Sequence, residues 1–354
     1  MLGGFGIVLY LLFLWINLQK YNQAPLDVKT FEGTNSPYHP DVVWFSKKWG
    51  GWNYWMVETP YSPKTKPYRD RYECPSVHVS NDGINWQEQN GHINPIDSLL
   101  NDEVLNFDYM SDPCLVLVND TLECWYRFTH RSGDVSDHSV VSLCRKKTID
   151  GLSWSDREVI EGIDKYGFND KILMCPSVLY KDNRYFLYFV DLKSEDKYIY
   201  LIKSEDAKTW TSPERCRFND CILNVWHIDV SYIDNKYYLV CYEYGGDIAL
   251  LSSSDGVNFY YLKNLLSPSN TVGSFYSNGL YQACLIKDSK YKLYFSADNK
   301  EQTFIGLMEG FDVDKMEVVS VNNLEYSSFC GMLCCKWRME TRRICFIIRN
   351  IINL

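Results

Sequence analysis

Along most of this chain, short apolar or aromatic runs recur in a fixed order. A Pro- or Asp-marked apolar run comes first, an aromatic run follows, and a third run leads into a polar turn. The first runs are HPDVVWF (His39 to Phe45), SDPCLVLV (Ser111 to Val118), CPSVLY (Cys175 to Tyr180), WHIDVSYI (Trp226 to Ile233) and LYQACLI (Leu280 to Ile286). The second runs are YWMVETP, LECWYRF, RYFLYFV, KYYLVCYEY and YKLYFSA. Their length and β-branched or aromatic content predict strands rather than helices. Four of the units end in one turn pattern: SNDGINW (Ser80 to Trp86), TIDGLSW (Thr148 to Trp154), SEDAKTW (Ser204 to Trp210) and SSDGVNF (Ser253 to Phe259). Its Ser or Thr and its Asp can bond local backbone N–H groups, Gly tolerates the dihedrals of a tight turn, and the aromatic plugs the turn into the next layer.

The marker residues Asp82, Asp150, Asp206 and Asp255 stand 68, 56 and 49 residues apart, the size of a four-stranded blade with variable loops. The fifth unit lacks the turn, as expected of a terminal repeat that closes a ring. Five sheets that cannot bury both faces alone, but can do so against neighbours around an axis, predict an all-β, five-bladed β-propeller over residues 27–325.

The two ends break the pattern. Leu2 to Leu18 is apolar apart from Gly and Asn17, and residues 1–20 read as a membrane anchor or signal-like segment. Lys20 and Lys29 follow it and nothing basic precedes it, which favours a cytoplasmic body and opposes the export that a surface substrate would require. Residues 326–354, with FCGMLCCKWRMETRRICFIIRNIINL from Phe329 onward, form an atypical Cys- and Arg-rich tail. Acylation of Cys334 and Cys335 on a membrane-surface helix is the functional alternative.

Composition narrows the function. The 354 residues are 46% hydrophobic and 23% charged, a globular balance, and the net charge of −9 excludes nucleic acid as a partner because phosphate binding needs clustered Lys and Arg. The 27 Tyr and 11 Trp supply flat faces on which sugars can stack. Thirteen Cys, scattered and with no C-x-x-C pair, read as small buried hydrophobes.

In a propeller the innermost strands line the axis, so polar residues at their starts converge from distant parts of the chain. Asp41, Asp112 and Asp229 occupy such positions, with His39 and His227 two residues before two of them and so on the same strand face. Paired carboxylates at the axis suit inverting glycoside hydrolysis, in which one activates water and another protonates the leaving oxygen. Trp52 and Trp55 in a dense aromatic stretch, together with Tyr281, are candidate sugar-binding residues. No close-spaced metal-ligand set stands out, although His227 with Asp229 could contribute ligands, and no metal or other cofactor is expected.

YHPDVVWF resembles the opening strand of glycoside hydrolase family 43. The five units with their turns are similar to the wider group of five-bladed furanosidase-like hydrolases that includes families 32, 62 and 117. The resemblance covers about Asp27 to Asp312. The opening of the chain also looks like that of uncharacterised bacterial propellers associated with surface polysaccharides. The resemblance implies that Asp41 is the general base and Asp112 a second carboxylate that tunes the acid. The family's general acid is a Glu at the start of a later innermost strand, where this chain offers Met174 or Asp229. Glu73, in RYECPS, serves instead if its loop covers the channel mouth. The expected protein is therefore a membrane-anchored or exported glycosidase of the bacterial cell surface, acting on a poly- or oligosaccharide. The alternative is a carbohydrate-binding propeller that has lost its acid.

Overall fold

The repeated runs form hydrogen-bonded sheets in the computed structural model, which describes residues 23–61, 72–134, 136, 140–163, 173–191, 197–219, 224–243, 246–271 and 273–319. The apolar segment 1–20 and the tail 326–354 lie outside the described residues. Among the described residues no helix is long and apolar enough to cross a membrane.

Blade one is β1 (Pro37–Trp49), β2 (Trp52–Pro60) and β3 (Ser76–Ser80), all antiparallel, with a single Val79–Gln87 bridge in place of a fourth strand. Blade two is β4 (Tyr109–Val118), β5 (Thr121–His130), β6 (Val140–Thr148) and β7 (Glu158–Val159). Blade three is β8 (Leu173–Lys181), β9 (Arg184–Asp191), β10 (Ile199–Ser204) and β11 (Glu214–Arg215). In blade four, β12 (Arg217–Asn219) joins in parallel to the outer strand of β13 (Val225–Ile233), β14 (Lys236–Glu243), β15 (Ile248–Ser253) and β16 (Asn258–Leu266). Blade five is β17 (Gly279–Lys287), β18 (Tyr291–Asp298), β19 (Thr303–Gly310) and β20 (Glu317–Val318). The even four-stranded blades expected from the sequence thus become three strands in blade one and five in blade four.

The first strands β1, β4, β8, β13 and β17 pack against one another in a closed cycle and form the inner wall. Between blades the cores are aromatic: Trp55 and Tyr126 fill the space between blades one and two, and Trp125 and Phe189 that between two and three. Trp125 and Tyr126 are adjacent and fully buried on opposite faces of one strand, which is how a blade serves two neighbours at once. Truncating either to Ala removes an aromatic from a closed interface, at a cost of about 3–5 kcal/mol. The ring closes between blades five and one, where Tyr294 Oη donates to Gly83 O at 2.9 Å and Leu26 N–H to Ile305 O at 2.8 Å.

The four turns fold alike. In each, the Ser or Thr hydroxyl bonds the Asp carboxylate, and the same Asp oxygen accepts the N–H groups two and three residues on. Gly151 in the second turn has φ +74, and a Cβ there would penetrate the Trp55 ring. Gly151→Ala is therefore expected to lower stability by about 2–3 kcal/mol through strain and overpacking, read by chemical denaturation. Ala207 stands at the matching position of the third turn with φ +58, so Ala207→Gly relieves strain of about 1 kcal/mol and serves as the control of opposite sign.

The eight described cysteines are all buried, which fits the reading of small hydrophobes.

Candidate functional site

Each inner strand is irregular near its start. The register with the second strand slips between Tyr38 and Asp41, Ser111 and Cys114, Met174 and Ser177, Val225 and His227, and Leu280 and Ala283. In the first three blades the slip coincides with His39-Pro40, Asp112-Pro113 and Cys175-Pro176. There the residue before Pro is held at φ +50, +53 and +49. Three non-glycine residues in the left-handed region at equivalent places are held there by the surrounding structure, a pattern that marks functional sites.

The slips arrange the inner side chains in two layers. The layer further along the strands holds Asp41, Cys114, Ser177, Asp229 and Cys284, and each accepts a backbone N–H from the next blade. Asp41 takes Leu115 N–H, Cys114 takes Val178, Ser177 takes Val230 at 2.9 Å, Asp229 takes Leu285 at 3.0 Å, and Cys284 closes the circle on Val42. An inner strand has an unpaired edge, and this layer supplies its missing acceptors. Asp41, Ser177 and Asp229 also line a cavity of about 440 Å³ with Trp44, Tyr180 and Tyr232, which Asp112 and the two imidazoles do not line. Burial raises the pKa of both Asp41 and Asp229, and the Asp229 charge raises Asp41 further, so the two compete for ionisation.

Two residues earlier on every strand lies the other layer: His39, Asp112, Cys175, His227 and Gln282, all buried. The two layers have different partners, the first capping backbone N–H groups of the next blade and the second carrying the imidazoles and Asp112. Cys175 repeats the capping motif, its sulfur accepting Ile228 N–H at 3.2 Å. The next-blade residues that would use Gln282, His39 and Asp112 in the same way are Pro40, Pro113 and Pro176, which carry no N–H. The prolines relieve these side chains of capping, and His39 and Asp112 pair instead with Thr59, Ser111 and Arg127.

His39, Asp112 and His227 converge, with one donor atom of each within 4.8 Å of the others. His227 Nδ1 is 3.5 Å and His39 Nε2 4.0 Å from Asp112 Oδ1. These separations are long for hydrogen bonds; donors sharing one cation at about 2.1 Å stand about 3–3.5 Å apart, so the group would draw in slightly around an ion. Neither ring nitrogen of His227 makes a hydrogen bond, although both are buried and Nδ1 faces Asp112. His39 Nδ1 lies 2.7 Å from Thr59 Oγ1, a contact that orients the ring with Nε2 toward Asp112. Burial lowers His39 to about 4 and His227 to about 3, so both are neutral near pH 7. Burial alone would raise Asp112, but His227, His39 and Arg127 outweigh it and hold the carboxyl below its ordinary range. Arg127 on β5, buried, sits 3.6 Å from Asp112 Oδ2. Two neutral imidazoles and one carboxylate are the protonation states a divalent cation requires.

Aromatic rings enclose the trio. Tyr281 lies 4.0 Å from the His227 ring and 5.4 Å from His39, and its Oη accepts the Trp226 indole N–H at 2.8 Å. Tyr38 stacks between Tyr281 and Tyr61.

The candidates chosen from sequence divide accordingly. His39, Asp112, His227 and Tyr281 come together. Asp41 and Asp229 do not join them, because the register places them in the capping layer, where Asp41 holds Leu115 N–H. Glu73 is buried at the margin, where its charge bears on Arg127 and Tyr281. Trp52 and Trp55 are corrected from sugar platform to blade packing. Trp55 is fully buried with its indole N–H on Trp49 O, and half-buried Trp52 packs on the same cluster at the far end of the β1–β2 hairpin. The sequence shows no close-spaced ligand set, and the fold brings His39, Asp112 and His227 together as a group that could hold a metal ion. Sequence reasoning missed Arg127, Thr59 and Gln282, which have no local signal. It also missed Trp226 and Tyr38, whose signal is adjacency to His227 and His39.

No protein-family model matches the chain. Among solved structures, an N-acetylgalactosamine deacetylase from F. plautii in complex with blood group B trisaccharide superposes with TM-score 0.64 at 20% identity, covering 81% of this chain and 94% of that one. The family 43 protein BlXynB from Bacillus licheniformis follows with TM-score 0.57 at 11% identity, over 81% of this chain and 55% of that one. The chain has the fold of these five-bladed carbohydrate-active propellers. A glycoside hydrolase of family 130 that targets β-1,2 mannosidic linkages in Candida mannan has TM-score 0.52 at 15% identity, covering 66% and 79%. By sequence, the A type blood N-acetyl-α-D-galactosamine deacetylase of Flavonifractor plautii is 27% identical over 278 residues, 65% of this chain and 35% of that protein. The chain thus matches about a third of that relative's length.

Proposed function

We propose that this propeller is a metal-dependent carbohydrate deacylase that hydrolyses the acetamido group of an N-acetylated amino sugar. The observation that carries the reading is the buried trio of His39, Asp112 and His227, with both nitrogens of His227 unpartnered. The sequence similarity to a sugar deacetylase supports the substrate class.

A divalent cation on these three residues would supply Lewis acidity toward an acyl carbonyl and lower the pKa of water. The chain's own groups prepare the site for it. Thr59 orients the His39 ring, Arg127 keeps Asp112 ionised, and Tyr281 with Trp226 forms an apolar wall on which a sugar face stacks. Glycosidic cleavage with Asp41 as base is the weaker reading, because the Asp41 carboxyl is engaged with Leu115 N–H and lies in the other layer. A non-catalytic sugar-binding propeller needs no imidazole left without a partner. Placement at a bacterial surface through the apolar N-terminus suits a polysaccharide substrate and belongs to the same proposal.

The test is to incubate the protein with oligosaccharides bearing terminal N-acetylgalactosamine, assaying acetate and reducing sugar in parallel. Acetate release that stops on chelation and returns with added divalent metal is the expected result. Reducing sugar without acetate would instead establish a glycosidase.

A further inference from the structure

Gln282 is 3% exposed, and its Oε1 has no hydrogen-bond partner. A buried acceptor left without a donor costs free energy comparable to a lost hydrogen bond, so its retention needs a reason. The fold shows why no protein group pairs with it. Gln282 stands in the layer of the trio, two residues before Cys284, which caps Val42 N–H. The backbone position that would pair with Gln282 in the same manner is Pro40, which has no N–H. In ring order β17, which carries Gln282, packs between β13 and β1, which carry His227 and His39, and the two imidazole centroids are 5.7 Å apart. The unused oxygen therefore stands on the strand between the two that carry the imidazoles, at the matching position along it.

We propose that Gln282 Oε1 accepts a hydrogen bond from the acetamido N–H of the bound sugar and so selects amides over esters, an assignment that rests on the deacylase reading. An acetamido group brings a donor to this acceptor, whereas an O-acetyl ester brings none and leaves it unpaired. A site built around such a bond discriminates strongly against an analogue that lacks the donor. Gln282 is thus a specificity-determining residue, and the trio acts on the neighbouring carbonyl.

The experiment compares methyl 2-acetamido-2-deoxygalactoside with methyl 2-O-acetylgalactoside, measuring calorimetric affinity and acetate release on the metal-loaded protein. In wild type the amide should bind more tightly than the ester. Gln282→Met, which removes the acceptor at similar volume, should weaken amide binding and turnover about tenfold and leave the ester unchanged. Gln282→Glu, which keeps an acceptor oxygen, should retain the preference. Gln282→Ala reads the same ratio should Met not fit. Equal losses on both substrates, no loss on either, or no amide preference in wild-type binding would overturn the assignment. Absent turnover with an amide-selective affinity that Gln282→Met abolishes would sink the deacylase reading alone.

Discussion

Asp112→Asn should lose both bound metal and turnover while leaving the propeller folded. Asp112 is the one anionic donor of the trio, and both imidazoles sit within 4.0 Å of it. Changing a residue that only orients a ligand costs about 10–100-fold in metal affinity or activity, so removing the charged ligand itself should exceed 100-fold. Metal content by elemental analysis should fall well below one ion per chain, and acetate release should fall with it. Thr59→Val, which removes the partner of His39 Nδ1, should fall in the 10–100-fold range and mark the difference between holding the ion and orienting its ligand. The buried Arg127 loses its nearby counter-charge in Asp112→Asn, so the unfolding midpoint must be measured beside activity. Full metal occupancy and activity in a folded Asp112→Asn protein would remove the trio from the mechanism.

Asp41→Asn should leave turnover intact and change how stability depends on pH. The Asp41 and Asp229 carboxyls both titrate above their unfolded values, because burial disfavours their charged forms and Asp229 adds its charge at Asp41. The native state therefore holds more protons than the unfolded chain from about pH 4, the ordinary carboxyl value, up to the raised native value. Stability from this pair is greatest at the acidic end of that window and falls as pH rises, by up to about 1.4 kcal/mol per pH unit for one extra proton. Asn keeps a carbonyl oxygen to accept Leu115 N–H and does not titrate, so the variant's denaturation midpoint should decline less between about pH 4 and pH 8. A variant that folds normally and loses all turnover would return Asp41 to the reacting centre.

These two aspartates show where sequence reading runs out. Both mark the starts of innermost strands and both adjoin a proline, Asp41 following Pro40 and Asp112 preceding Pro113. The two strands slip at equivalent places, so this offset of two residues sets the aspartates a layer apart, and Asp41 caps the next blade while Asp112 meets two imidazoles. The prolines at 40, 113 and 176 read in the sequence as strand markers. Their larger effect is to delete the N–H groups that would otherwise engage the side chains of the reacting layer.

The blade count, the strand order within a blade and the four turns were determined by the sequence itself. They rest on chemistry within a few residues: a Ser or Thr and an Asp bonding their own turn, and apolar runs of strand length. The tertiary structure alone decided which candidates meet and what surrounds them. Arg127 and Thr59 sit on second strands and Gln282 on the fifth blade, while His39, Asp112 and His227 come from blades one, two and four. Only ring closure brings them to one axis, and no local pattern encodes a contact made between strands of different blades.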